Sequence, residues 1–444
     1  MTTALSAPVI WWVNNASFVF CHEEVRLLAD PWLFGTVFAD SWELLVESKF
    51  RAEDFDQVSH IWFSHDHPDH FSVPTLSAIP EEKRPRLPVL YQKTLDGKVV
   101  RRCRDLGFQV RELDPANSTP LGRSVRISCG PVDLLDSWLL VEAGGFRVLN
   151  LNDCVVQTRE RAAAVACLTG PVDVVISQFS YANWMSNPED VEGRIRAADE
   201  CLETIRLCCE LFSPRWYIPS SAFIKFSHAE NVYMNDEMVR LSSLAEFVSR
   251  DCGVTPVVLA PDDRWIVGTT WDNAGAIRLY DSALDRPPAR LHRGSPVTLE
   301  ELVGLSRLHL HRLHGKCAFG VLRLAPLLSL GRYLPTTTLH VRDLGVFLSF
   351  DVNRGLRTIP EPSEGPDISL SSDSLARALQ YEWGDHDLFA SGRFSVSPTR
   401  PLRFFDAFRL NAYTNAGYRI DYPFVLRWLL GRGPTRAKRG DRVA

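Results

Sequence analysis

The segment His65-Asp66-His67-Pro68-Asp69-His70 packs metal-ligating side chains into one short turn. Imidazole nitrogen and carboxylate oxygen together suit zinc, iron or manganese. The pattern H-x-H-x-D-H would arise from composition alone on the order of one time in a thousand, which sets it apart from a chance His-rich turn. Residues i and i+2 of an extended segment point the same way, so His65 and His67 can converge on one ion. Asp69 and His70 lie beyond the bend and can reach a second. The β-branched and aromatic run just before the motif, Val58–Phe63, reads as a strand, which puts the cluster at a strand's C-terminal end.

Further strands are predicted at Val9–Val13, Ser17–Phe20, Val25–Ala29, Val89–Tyr91, Val125–Ser128, Trp138–Val141, Val148–Leu151, Val174–Ser177 and Trp216–Ile218. Helices are predicted over Asp96–Leu106, Arg159–Cys167 and Glu189–Leu211 from their apolar spacing. A strand meander joined later by helices suits two sheets packed face to face with helices outside. The composition shifts after Trp271, and the Asp-Arg-Pro-Pro within 277–291 reads as a linker. Three segments follow: 1–275 as a metal-binding catalytic domain, 276–430 as a smaller C-terminal α+β accessory domain, and 431–444 as a basic tail. In the second, His309-Leu310-His311-Arg312-Leu313-His314 falls inside a predicted helix over Val297–Leu313. There i and i+2 side chains diverge, so a helix face is expected and not a metal site.

The 444 residues are 45% hydrophobic with 26 Gly and 28 Pro, which excludes disordered, collagenous and coiled-coil chains. The net charge of −5 argues against nucleic-acid binding through bulk positive charge. No apolar run of membrane-spanning length occurs, so no membrane partner is expected. The N-terminal stretch lacks the pattern of a signal peptide, and ten scattered Cys without a C-x-x-C pair suggest reduced thiols; both point to the cytoplasm.

The motif resembles that of the metallo-β-lactamase superfamily. The resemblance implies an αββα, α+β sandwich of two mixed sheets flanked by helices, with one or two metal ions at the sheet edge. By the same resemblance, Asp153, ending Val148-Leu149-Asn150-Leu151-Asn152-Asp153, looks like a bridging aspartate, and His228 like the last ligand. Where the family usually has a histidine, this sequence has Asp133-Leu134-Leu135-Asp136-Ser137. Asp133 or Asp136 would have to serve there, with Asp136 preferred. A carboxylate in that place hardens the site and moves its preference from zinc toward iron or manganese.

Within the superfamily, Trp11-Trp12-Val13-Asn14-Asn15-Ala16-Ser17, Asp30-Pro31-Trp32, Asn152-Asp153-Cys154 and Pro214-Arg215-Trp216-Tyr217 are similar to the metallo-β-lactamase-fold part of CMP-N-acetylneuraminate hydroxylases. That likeness covers roughly residues 8–260 and implies O2-dependent hydroxylation of a sugar nucleotide. A Rieske centre needs C-x-H and C-x-x-H pairs, which this sequence lacks, so electrons are expected from a separate electron-transfer protein.

The expected metal set is His65, His67 and Asp136 on one ion, Asp69, His70 and His228 on the other, with Asp153 bridging. Iron is favoured over zinc or manganese, and Asp69 and Asp153 are the expected catalytic groups. Lys225 and Asn14 are expected to contact a polar small-molecule substrate. Two roles stand open for the C-terminal unit: covering the metal site, or mediating a homodimer. A zinc- or manganese-dependent hydrolase of a phosphodiester, amide or lactone is the competing reading, and a fold retained only for binding is a third. The density of ligand-type side chains argues against the last.

Overall fold

The computed structural model describes residues 6–115, 117–154, 156–328, 334–400 and 403–430. The expected basic tail, 431–444, lies outside them. The chain divides into two compact units, Met1–His292 and Arg293–Ala444. The boundary is therefore at 292/293 and not 275/276. The segment read as a linker is largely the helix Ala274–Leu284, which buries Ala276, Tyr280 and Ala283 in the first unit. The Pro-Pro pair stops that helix; it does not mark a domain junction.

Two seven-stranded sheets build the first unit. The first runs, in spatial order, Arg264–Ile266, Val9–Asn14, Ser17–His22, Val25–Ala29, His60–Phe63, Val89–Gln92 and Val110–Leu113. It is antiparallel as far as Val25–Ala29 and parallel from there on. The second runs Thr255–Pro256, Trp216–Ser220, Val174–Gln178, Phe146–Asn152, Ser137–Ala143, Val125–Pro131 and Thr119–Leu121. It is parallel over its first half and antiparallel over the rest.

Alternate residues of the first sheet serve different cores, as the two-residue period of a strand requires. Ile10, Trp12, Phe18, Phe20, Leu27 and Trp62 join the core shared with the second sheet. Trp11, Val13, Val19, Leu28, Ile61 and Phe63 pack instead with Leu76, Val99 and Cys103 of the helices Val73–Ala78 and Lys98–Asp105. Burial of both faces is why these strands read as nearly unbroken apolar runs. Helices Arg159–Thr169, Val191–Phe212 and Leu241–Arg250 contribute buried faces to the shared core. Two mixed sheets flanked by helices make the αββα, α+β sandwich that the resemblance implied.

The second unit has a five-stranded sheet in the order Gly355–Ile359, Val346–Asp351, Thr337–Val341, Ile368–Leu370, Phe394–Val396. Its helix Leu299–Gly315 opens with a capping box, Thr298 to Glu301. His309 on that helix is buried against Phe350 and Phe408, with ring centroids 6.0 and 5.1 Å away. His314 Nε2 lies 2.9 Å from the Val352 carbonyl oxygen. The His-rich segment is thus a partly buried helix face, with His309 buried and His311 and His314 exposed, as its spacing predicted. The ten cysteines are free thiols. Among the described residues no helix is long and apolar enough to cross a membrane.

Candidate metal centre

Strand Val25–Ala29 and its parallel neighbour His60–Phe63 end side by side, as Ala29 pairs with Trp62. The next residues, Asp30 and Ser64 onward, therefore emerge together at one sheet edge. From the second sheet, Phe146–Asn152 delivers Asp153 to the same place. Two backbone turns do the aiming: Asp30 has φ +41° and Asn152 φ +50°, a region non-glycine residues enter at a cost.

His65, His70 and Asp153 offer ligand atoms that all lie within 4.8 Å of one another. His70 Nε2 is 3.2 Å from Asp69 Oδ2 and 3.4 Å from Asp153 Oδ2. His65 Nε2 is 3.8 Å from Asp153 Oδ2 and 2.8 Å from His67 Nδ1. Asp136 Oδ1 stands 3.8 Å from the other ring nitrogen of His65, Nδ1. Asp133 turns away, accepting from the Leu134 amide and lying 3.6 Å from Arg161. Of the two candidates in that loop, only Asp136 faces the histidines.

The geometry also identifies supporting groups that motif reasoning passed over. The Asp30 carboxylate is fully buried and accepts from the Ser64 amide and the Ser64 hydroxyl, both at 2.8 Å. Its Oδ2 also lies 3.0 Å from His70 Nδ1. A carboxylate on Nδ1 fixes the ring so that Nε2 points at an ion. Ser137 donates to the Ser64 carbonyl at 2.7 Å, tying the Asp136 loop to the histidine turn. Gln92 reaches the same turn and loop through the carbonyls of Ser64 and Leu135. Asp30 was visible as part of Asp30-Pro31-Trp32, but nothing in that tripeptide marks its partner as His70.

Charge is concentrated here. Burial by itself would lower the His70 pKa, but Asp153, Asp69 and Asp30 outweigh it and raise it well above the usual value. Burial would raise that of Asp153, but His70 and His65 hold it far below the usual carboxylate range. Asp136 is pushed up to about 6 by burial, against the pull of His65 and with Asp153 adding to the rise. Without an ion, a proton on His70 balances the carboxylates.

The donor set fits a divalent cation. His70 Nε2, Asp69 Oδ1 and Asp153 Oδ1 are buried polar atoms with no aligned hydrogen-bond partner. Leaving such atoms unsatisfied costs about 1–3 kcal/mol each, which coordination would relieve. His228 is buried on the turn after strand Ile224–Phe226, and its backbone amide donates to Asn231 Oδ1 at 2.9 Å. Its Nδ1 accepts from the Glu230 amide at 3.2 Å, so coordination by His228 would run through Nε2.

The two expected substrate contacts need correction. Lys225 is 3% exposed, and its ammonium donates to the carbonyls of Ala283, Leu284 and Arg286. It caps the C-terminal end of helix Ala274–Leu284, where a cation also complements the helix dipole. Asn14 donates to the Trp32 carbonyl at 2.7 Å and is 2% exposed, so it braces the Asp30-Pro31-Trp32 turn.

Residues 9–194 match the family described as "Beta-lactamase superfamily domain". The curated relatives carry the name of a hydroxylase, that of Homo sapiens described as inactive. The cytidine monophosphate-N-acetylneuraminic acid hydroxylase of Danio rerio is 25% identical over 306 residues, covering 62% of this chain and 48% of the relative. The Sus scrofa enzyme of that name is 32% identical over 139 residues, 29% of this chain and 31% of the relative. This chain thus spans less than half the length of these relatives. Among solved structures, CmlA, a diiron beta-hydroxylase from Streptomyces venezuelae, is 19% identical at a TM-score of 0.40, covering 59% of this chain and 54% of that one. An isothiocyanate hydrolase from Delia radicum gut bacteria is 17% identical at a TM-score of 0.42, covering 59% and 100%. Among the described residues, His65, His70 and Asp153 form a group that could hold a metal ion.

Proposed function

We propose that this chain is a dinuclear metal oxygenase, a hydroxylase of a polar small molecule such as a nucleotide sugar or natural product, with iron as its metal. The observation that carries the reading is Asp136 beside His65 where the superfamily pattern has a histidine. With Asp69 and Asp153 it makes a carboxylate-rich donor set, which suits iron better than zinc. The hydroxylase relatives support the same chemistry. His65, His67 and Asp136 would hold one ion, Asp69, His70 and His228 the other, and Asp153 would span both.

The bound metal would supply reductive activation of O2, by the balance R–H + O2 + 2e⁻ + 2H⁺ → R–OH + H2O. The electrons come from a separate electron-transfer protein. Asp30 holds His70 in the tautomer that presents Nε2. Asp153 offsets positive charge from both sides.

The test is anaerobic loading with ferrous iron, then O2 with a chemical reductant. Iron-dependent O2 uptake and a visible diiron chromophore are the expected results. Stable binding of zinc alone, with no O2 uptake by iron-loaded protein, would defeat the reading. A hydrolase is the second reading: Asp69 next to His70 Nε2 is placed to orient an attacking water. Phosphodiester, amide or lactone cleavage by zinc- or manganese-loaded protein without O2 would establish it instead.

A further inference from the structure

One segment of the first unit, from Asp30 to Trp42, reaches three of the expected ligands. At its start, the Asp30 carboxylate lies against His70 Nδ1. At its end, the Ser41 carbonyl accepts from the Ser227 amide at 2.9 Å and from Asn231 Nδ2 at 3.0 Å, and the Asp40 carbonyl accepts from the Ser227 hydroxyl at 3.2 Å. Asn231 in turn accepts from the His228 amide, so the segment fixes the backbone of the His228 turn. Between the two ends, Phe38 lays its ring against His67, with centroids 5.9 Å apart and planes at 72°.

His67 is the histidine of the turn with most need of such support. His65 and His70 are fully buried, whereas His67 is half-buried. Its ring stands between His65, with centroids 4.5 Å apart, and Phe38. Phe38 is itself buried and packs edge-on against Trp42 at 4.4 Å, and Trp42 packs on Phe226 of the strand that leads to His228. The backbone is strained where it holds this ring. Phe38, Ala39 and Asp40 have φ of +49°, +59° and +60°, three successive residues in a region that side chains other than glycine enter at a cost. The turn is closed by the Ser41 amide donating to the Val37 carbonyl and by Thr36 Oγ1 donating to Asp40 Oδ1 at 2.6 Å. Strain of this kind persists only where the surrounding contacts over-determine it, and it gathers at functional sites.

We propose, on the two-ion reading in which His67 and His228 are ligands, that Phe38 is a positioning residue: its ring holds the His67 imidazole ready for coordination, and the left-handed turn at 38–40 couples that imidazole to the His228 turn. The test is anaerobic titration of the full chain with ferrous iron against a chromophoric chelator, with thermal unfolding measured alongside. Wild type is expected to hold two ions. F38A should weaken one of them about ten-fold, the scale of a lost outer-shell contact, and leave the other unchanged. H67A should weaken the same ion, and F38A added to H67A should cost nothing further, because a residue that acts through His67 then has nothing to position. F212A, the same truncation at a fully buried position of helix Val191–Phe212, should lower the melting temperature without changing either affinity. A39G should raise the melting temperature by relaxing the turn, yet weaken the ion that F38A weakens. Wild-type affinities in F38A or A39G, additive losses in the double variant, or an equal loss in F212A would each overturn the positioning role while the two-ion reading stands. A wild type that holds fewer than two ions overturns that reading, and the positioning role with it.

Discussion

Asp30→Asn is the sharpest probe of how the centre is organised. The Asp30 carboxylate has two Ser64 donors and the His70 ring nitrogen around its oxygens, and it is fully buried. An amide has one acceptor oxygen in place of two. If that oxygen keeps the Ser64 amide, the new NH2 group faces the Ser64 hydroxyl and His70 Nδ1. His70 then loses the acceptor that holds its proton on Nδ1. The ring can instead accept at Nδ1 and carry its proton on Nε2, the atom meant for the ion. Removing such an orienting partner costs about 10- to 100-fold in metal affinity, or about 1.4–2.8 kcal/mol. Competition with a chromophoric chelator on anaerobically loaded protein measures it. Ser64→Ala, which removes one hydroxyl but spares the carboxylate, should cost less. Wild-type affinity in folded Asp30→Asn would refute the argument that this carboxylate sets the tautomer.

Three other outcomes follow from the same physics. Metal binding should release protons and weaken as pH falls, because the raised His70 pKa means a proton must leave before Nε2 can coordinate; calorimetry in buffers of different ionisation enthalpy reads the proton count. Lys225→Met should lower stability by about 1–3 kcal/mol by stranding the carbonyls it caps, yet leave metal affinity unchanged; a change in metal or substrate binding without a change in melting temperature would contradict its capping role. Burial lowers the His309 pKa from 6.5 to about 4, so the unfolded chain binds more protons between those values. That stability is complete above about pH 6.5 and falls as pH drops toward 4, by about 3 kcal/mol in all. His309→Leu should flatten this part of the pH dependence of thermal unfolding, and an unchanged slope would count against it.

The strands of the sandwich were legible because each is a short apolar run with turn residues at its ends, and the histidine turn was legible because it is contiguous. What stayed hidden depends on partners far along the chain. Asp30 and His70 are forty residues apart and meet only because two parallel strands end together. Strand Trp42–Leu44 is three residues long and pairs with the distant Ile224–Phe226, so its pattern is too short to read. Lys225 illustrates the same limit. Its sequence position near His228 suggested a cation for a substrate, but its reach is decided by helix Ala274–Leu284, whose end supplies carbonyls that need a donor. A buried lysine in an apolar site would be costly without such acceptors, so the helix end and the lysine stabilise each other. The metal cluster differs in kind: His70, Asp69 and Asp153 sit close together with buried atoms still unsatisfied. Lys225 and the helix end satisfy one another. That contrast, between a lysine fully engaged and a set of donors left open toward one point, is the physical reason to place chemistry at the histidine turn.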